Sequence, residues 1–133
     1  MIEDKNIHVG IIGGLGKMGR WFQRFFSELG YQVSVADLDT ETTAEDLART
    51  CNLVLVAVPL QHTVEVVRAI GPLVQDNALL MDIASLKTEV VGTMLEVSTA
   101  SVIGTHPLFG PGEPNVPGQP VVMCAGRGQW WPQ

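Results

Sequence analysis

Ile7-His8-Val9-Gly10-Ile11-Ile12-Gly13-Gly14-Leu15-Gly16-Lys17-Met18-Gly19 is an apolar run that breaks into a cluster of glycines. The run predicts a strand. Met18, Phe22, Phe25, Phe26 and Leu29 then recur at helical spacing, and Gly30 stands where the residue just past a helix end belongs. Between strand and helix, Gly14-x-Gly16-x-x-Gly19 is G-x-G-x-x-G in a context that gives each glycine a physical reason. The first permits a tight turn, the second lets a pyrophosphate approach the backbone, and the third lets helix and strand pack closely. The helix N-terminus behind them offers unpaired N–H groups and a partial positive charge to phosphates. Gly14, Leu15, Gly16, Lys17, Met18 and Gly19 are therefore candidate cofactor contacts, with the Lys17 ammonium read as a solvated charge on the phosphate side.

Working outward, short apolar runs alternate with helical patterns along the rest of the chain. Tyr31–Ala36 reads as a second strand ending at Asp37, and Thr42-x-x-Glu45 as a capping box for a short helix to about Thr50. Leu53–Val58 is a third strand closed by Pro59. Val64, Val67 and Ile70 mark a helix that stops near Gly71-Pro72. Ala78–Ile83 is a fourth strand, followed by a helix striped by Leu86, Val90, Val91, Met94 and Leu95. Ser101–Thr105 is a fifth strand, and a loop dense in proline and glycine, His106–Gly118, leads to a sixth at Val121–Ala125. Strands apolar on both faces and separated by helices imply a parallel sheet covered on both sides. The expected fold is α/β: one three-layer, Rossmann-type doubly wound domain over residues 1–133. The expected strand order is 2-1-3-4-5-6, with a ligand crevice at the carboxyl ends of the first and third strands.

Asp37 ends the second strand 18 residues after Gly19, where an acid accepts bonds from the adenosine ribose hydroxyls. A turn residue beside Asp39 is the bland alternative. No arginine follows Asp37 to receive a 2′-phosphate, and its carboxylate repels one, so the expected cofactor is NAD rather than NADP. Val58, Pro59 and Thr63 are expected to shape the floor of the nucleotide site.

Composition narrows the partners. Eight Lys plus Arg against 14 Asp plus Glu give the 133-residue chain a net charge of −6, which opposes binding to nucleic acid. The longest strongly apolar run, Leu53–Leu60, is far short of the ~20 residues of a bilayer span. No signal peptide is read at the N-terminus, so a cytoplasmic location is expected. Cys51 and Cys124 lie far apart with no Cys-x-x-Cys spacing, which points to two small buried hydrophobes and no metal site.

Three further segments belong at strand ends: Val58-Pro59-Leu60-Gln61-His62-Thr63, Asp82-Ile83-Ala84-Ser85-Leu86-Lys87 and His106-Pro107-Leu108-Phe109-Gly110-Pro111. With the glycine loop ahead of them, this combination resembles the nucleotide-binding half of the prephenate and arogenate dehydrogenase family. The likeness runs from about Ile7 to Arg127. The resemblance implies that His106 takes the proton from a ring hydroxyl while hydride leaves the same carbon for nicotinamide. It implies that Ser85 holds histidine and hydroxyl in register. An imidazole of pKa ~6.5 suits the first task. Standing alone, His106 is a loop histidine bonded to backbone and Ser85 a helix N-cap. His62 reads as a surface residue at a helix start and His8 as structural.

Members of that family carry a second, mostly helical domain that forms the dimer and closes the substrate pocket. That domain is expected to be absent from this sequence, which runs to Gln129-Trp130-Trp131-Pro132-Gln133. A dicarboxylate substrate needs cationic clamps. Of the basic residues only Lys17 and Lys87 are placed near the crevice, with Lys5, Arg20, Arg24, Arg49, Arg68 and Arg127 elsewhere. Two readings follow. One is the cofactor module of such a dehydrogenase, active in tyrosine biosynthesis once a substrate domain completes it. The other is a stand-alone nucleotide-binding domain without catalysis. Weak self-association through Trp130 and Trp131 is expected in either case.

Overall fold

A computed structural model describes residues 6–85, 87–107, 112 and 121–128. Its elements run β1 (His8–Ile12), α1 (Lys17–Glu28), β2 (Gln32–Ala36), α2 (Ala44–Thr50), β3 (Leu53–Val56) and α3 (Leu60–Ile70). A 3-10 turn at Gly71–Leu73 follows, then β4 (Leu79–Asp82), α4 (Lys87–Val97), β5 (Ser101–Pro107) and β6 (Val121–Arg127). The sheet order is β2-β1-β3-β4-β5-β6, as the sequence predicts. The first five strands are mutually parallel.

β3 explains why the sheet must be covered on both sides, because Leu53, Val54, Leu55 and Val56 are all buried. Alternate residues feed two cores. Val54, Val56, Leu80 and Val102 pack with Leu47 of α2, Val67 and Ile70 of α3, and Val90 and Met94 of α4. Val9, Ile11, Leu53, Leu55, Leu79 and Ile103 form the opposite core, against which Phe22 and Phe26 of α1 pack. Trp21, also on α1, is buried, with Phe25 stacked on it at 5.5 Å. These three layers put α1 on one face and the other helices on the second.

Four details depart from the sequence reading. β6 runs antiparallel to β5, with a register irregularity between Val102 and Ile103, so the sheet is parallel only through β5. Alternation of apolar runs cannot report this direction, because both directions bury a strand equally well. β5 also extends two residues beyond Thr105, which puts His106 on a strand opposite Val122 rather than in a loop. The capping box is Thr43–Asp46, one residue later than Thr42–Glu45. The Asp46 N–H donates to Thr43 Oγ1 at 3.1 Å, and the Thr43 N–H to Asp46 Oδ2 at 3.2 Å. The Thr42 carbonyl is occupied instead by the Thr40 hydroxyl at 2.7 Å. The turn glycine is Gly13, not Gly14: Gly13 has φ +86°, and a Cβ there would stand 2.7 Å from the Ala57 carbonyl oxygen.

Gly30 takes its expected left-handed conformation after α1, at φ +93°. His8 is structural, its Nε2 lying 2.7 Å from Ser34 Oγ. Cys51 is buried, and that burial pushes its thiol pKa up; Cys124 is only half-buried, and both are free thiols. The chain from Leu108 to Pro111, Trp130, Trp131 and the Lys87 side chain lie outside the described residues. Among the described residues no helix is long and apolar enough to cross a membrane.

Candidate functional site

Parallel strands deliver their carboxyl ends to one edge of the sheet, so the segments following β1 to β5 meet there. Two hollows occupy that edge. One, of about 810 Å³, is lined by Leu15, Asp37, Leu38, His62 and Val66 among others. The second, of about 520 Å³, is lined by Lys17, Met18, Ile83, Ser85, His106 and Pro107 among others. Gly16, Ala57, Val58 and Pro59 line both, which makes them one crevice crossing the end of β3. Asp37 stands in one arm and Ser85 with His106 in the other.

The glycine loop sits between the arms and is fully cross-braced. The Gly13 and Gly14 N–H groups donate to the Ala36 carbonyl at 2.8 and 3.3 Å, and the Gly16 N–H to the Gly13 carbonyl at 3.1 Å. A Cβ on Gly14 would stand 2.5 Å from Val35 Cβ, and one on Gly19 would stand 2.2 Å from the Gly13 oxygen. Both glycines are demanded by packing, and neither lines the crevice. Gly16 is different. Its backbone is ordinary (φ −74°, ψ 171°), and a Cβ there would find nothing nearer than 3.4 Å. The protein needs no glycine at this position, so the space is left open to the crevice. Gly16 is the N-cap of α1, which has no side-chain cap and no acid in its first turn. An uncapped helix N-terminus behind an open backbone is what a pyrophosphate requires.

Asp37 presents its carboxylate to the first arm. Oδ2 accepts the Leu15 N–H at 3.0 Å and Oδ1 the Leu38 N–H at 2.9 Å, and each oxygen keeps lone-pair capacity for a hydroxyl. Beside it the Leu38 side chain is 96% exposed, an apolar surface facing solvent at the mouth of the hollow. His62 also lines this arm, with Nδ1 3.9 Å from Glu65 Oε2, although most of its side chain is in solvent.

In the second arm the structure brings Ser85 and His106 together with Lys17 and Met18. Lys17, read as a solvated charge on the phosphate side, borders the His106 compartment next to Gly16. Thr63 is not brought to the crevice. It is buried within α3, its hydroxyl donating to the Pro59 carbonyl at 3.3 Å, and it supports the site from behind. Ser85 stands two residues before Lys87, where α4 begins.

Residues that the sequence reading gave no role also build the site. Asp82 is buried at the end of β4, where Oδ2 accepts the Ala84 N–H at 2.9 Å and fixes the turn that leads to Ser85. Its carbonyl accepts the Thr105 hydroxyl at 2.5 Å, which ties that turn to the residue before His106. An acid closing an apolar strand was the available signal, as it was for Asp37. For Gly13 the signal was the doubled glycine directly after β1.

A parallel sheet wound on both faces, with an open glycine loop at its switch point, defines a Rossmann-type nucleotide-binding domain. The family model for the prephenate dehydrogenase nucleotide-binding domain matches residues 24–126, and the chain belongs to that family. It is 38% identical over 125 residues to the T-protein of Haemophilus influenzae, covering 93% of this chain and 33% of that protein. It is 32% identical to a probable arogenate/prephenate dehydrogenase of Methanocaldococcus jannaschii, covering 92% of this chain and 31% of that one. The chain thus spans about a third of the length of these curated relatives. Among solved structures it superposes on prephenate dehydrogenase from Aquifex aeolicus in complex with hydroxyphenyl propionate and NAD+, with a TM-score of 0.67. That likeness, at 17% identity, covers 88% of this chain and 50% of the other and is one of fold.

Proposed function

We propose that this chain is the NAD-binding part of a prephenate or arogenate dehydrogenase, acting in the oxidative decarboxylation that leads to tyrosine. The observation that carries the reading is the single crevice with Asp37 in one arm and His106 with Ser85 in the other. The Asp37 carboxylate receives the adenosine ribose hydroxyls, the Gly16 backbone and α1 N-terminus take the pyrophosphate, and Val58 and Pro59 floor the groove. Asp39 and Glu65 line the Asp37 arm with it, and among the described residues no lysine or arginine does. A 2′-phosphate there meets only like charge, so NAD is preferred to NADP.

Bound NAD would supply the hydride acceptor. His106 takes the proton of the substrate hydroxyl, held in place by its pairing opposite Val122. Ser85, presented by the Asp82-braced turn, orients that hydroxyl. Loss of hydride and proton makes a ketone, whose electron demand lets the ring carboxylate depart as carbon dioxide. Two measurements test this. Calorimetric titration is expected to show NADP at least tenfold weaker than NAD, and equal affinities would remove the role given to Asp37. His106→Asn, in a chain joined to a dehydrogenase C-terminal domain, is expected to lose ~10²–10⁴ in kcat while keeping NAD affinity. Retention of most of the kcat would place the base elsewhere.

One observation favours a second reading, a nucleotide-binding domain that does not turn over by itself. Among the described residues, Lys17 is the cation lining the His106 compartment, with the Lys87 side chain outside the described residues, and a dicarboxylate calls for more than one such clamp. NAD binding with no turnover of prephenate or arogenate supports it. Weak self-association through Trp130 and Trp131 is part of either reading, and sedimentation beside a chain ending at Gly126 tests it.

A further inference from the structure

The Leu15 residue at the apex of the glycine loop is gripped from two sides. Its N–H donates to Asp37 Oδ2 at 3.0 Å, and its carbonyl accepts Arg20 Nε–H at 2.8 Å. We propose that Asp37 and Arg20 form a clamp that sets the pyrophosphate-binding loop, making Arg20 a positioning residue and giving Asp37 a second task besides ribose recognition. This rests on the reading of the loop as a pyrophosphate site.

The geometry has a definite logic. Gly16 has no side chain with which to fix its own backbone, and the open space around it is what admits the ligand. Order must therefore come from the residue before it. The Leu15 side chain is exposed and lines the hollow, so packing does not supply that order. Its two backbone polar groups do. One partner comes from the end of β2, 22 residues along the chain, and the other from the first turns of α1, five residues on. Both bonds involve an ionised partner, and these are the stronger kind. Held this way, the Gly14–Gly16 backbone is arranged before any ligand arrives, and binding then spends less on ordering it. Arg20 does not line either arm of the crevice, so its effect passes through Leu15 rather than through contact with the cofactor.

Two ligands separate the tasks of Asp37. ADP carries pyrophosphate and both ribose hydroxyls, whereas 2′,3′-dideoxy-ADP carries the pyrophosphate alone. Arg20→Leu is expected to weaken both about fivefold, and equally, because the clamp touches no hydroxyl. Asp37→Ala is expected to weaken ADP more than the dideoxy analogue and still to weaken the latter. Unchanged affinity of the dideoxy analogue for both variants would overturn the clamp. Arg20→Lys keeps the charge without the planar Nε–H, so full recovery in that variant would assign the effect to long-range charge and overturn the clamp as well. A ligand-free readout stands beside these. The Leu15 amide proton, followed by NMR in the full chain, is expected to exchange faster in both variants than in the parent. Unchanged exchange sinks the clamp even where binding changes. Failure of the parent chain to bind either nucleotide would instead sink the pyrophosphate reading, and amide exchange would then decide the clamp alone.

Discussion

Glycines that look alike in the sequence differ in what the protein asks of them. Gly19 has the Gly13 carbonyl oxygen 2.2 Å from where a Cβ would go, and backbone cannot move aside as a side-chain tip can. Gly19→Ala is therefore expected to cost about 1–3 kcal/mol, the usual range for overpacking, seen as a lower urea midpoint. Gly16→Val meets no such obstacle. It is expected to change stability by no more than about 1 kcal/mol, mostly as a poorer helix N-cap, while NAD binding is lost. Should Gly16→Val bind NAD normally, the open space at Gly16 is not the pyrophosphate's place. The motif spacing made the glycine loop and Asp37 legible as one place in the fold, because one short stretch and one strand end carry them. Which glycine takes the left-handed turn, and that Arg20 reaches back to Leu15, were not legible. Both depend on where the backbone goes after Ile12; the doubled glycine marks the turn without saying which of the two takes it, and no residue type announces the reach of Arg20. Thr63, expected to shape the floor of the nucleotide site, is buried in α3 and lines neither arm, a placement that the sequence does not report.

At the level of elements, α2 shows how little helix propensity decides on its own. Seven residues are too few to hold a helix in water, so α2 depends on its cap and on Leu47 and Ala48 in the core. The Thr43–Asp46 reciprocal bonds satisfy two N–H groups at its start. Thr43→Ala is expected to destabilise the domain by about 1 kcal/mol, with the slope of urea unfolding unchanged. Thr42→Ala is expected to leave that cap intact, and a larger loss from Thr42→Ala would restore the earlier register. β6 is held by a device at the other end of the sheet. Arg127 donates from Nε to the Ala100 carbonyl at 3.2 Å and from its terminal nitrogen to the Ser98 carbonyl at the end of α4. A guanidinium there meets the negative end of the helix and ties β6 to the turn between α4 and β5. Strand existence was readable from apolar runs, because burial on both faces leaves a continuous signature. The antiparallel direction of β6 was not, since it is fixed by cross-strand pairing with β5.

Across the whole molecule, the crevice gathers positions distant in sequence: the loop after β1, Asp37 after β2, Val58 after β3, Ser85 after β4 and His106 near the end of β5. A ligand lying along it bridges five separately connected segments that the sheet alone otherwise registers. Unfolding scatters those segments, so the unfolded chain presents no site, and binding is coupled to global stability by mass action. At a free NAD concentration 100 times its Kd the native state gains about 2.7 kcal/mol. A domain of this length gains roughly 3–5 °C in Tm for each kcal/mol, so NAD is expected to raise the melting temperature by about 10 °C. NADP at the same concentration, if at least tenfold weaker, adds no more than about 1.4 kcal/mol and about half that rise. The two cofactors differ by one phosphate, and the carboxylates of Asp37, Asp39 and Glu65 line the arm where it would lie. Raising the salt concentration screens that repulsion and is expected to narrow the gap between the two shifts. Equal shifts at low salt would mean that the phosphate turns away from Asp37 into solvent, and that the acidic arm does not choose between the cofactors.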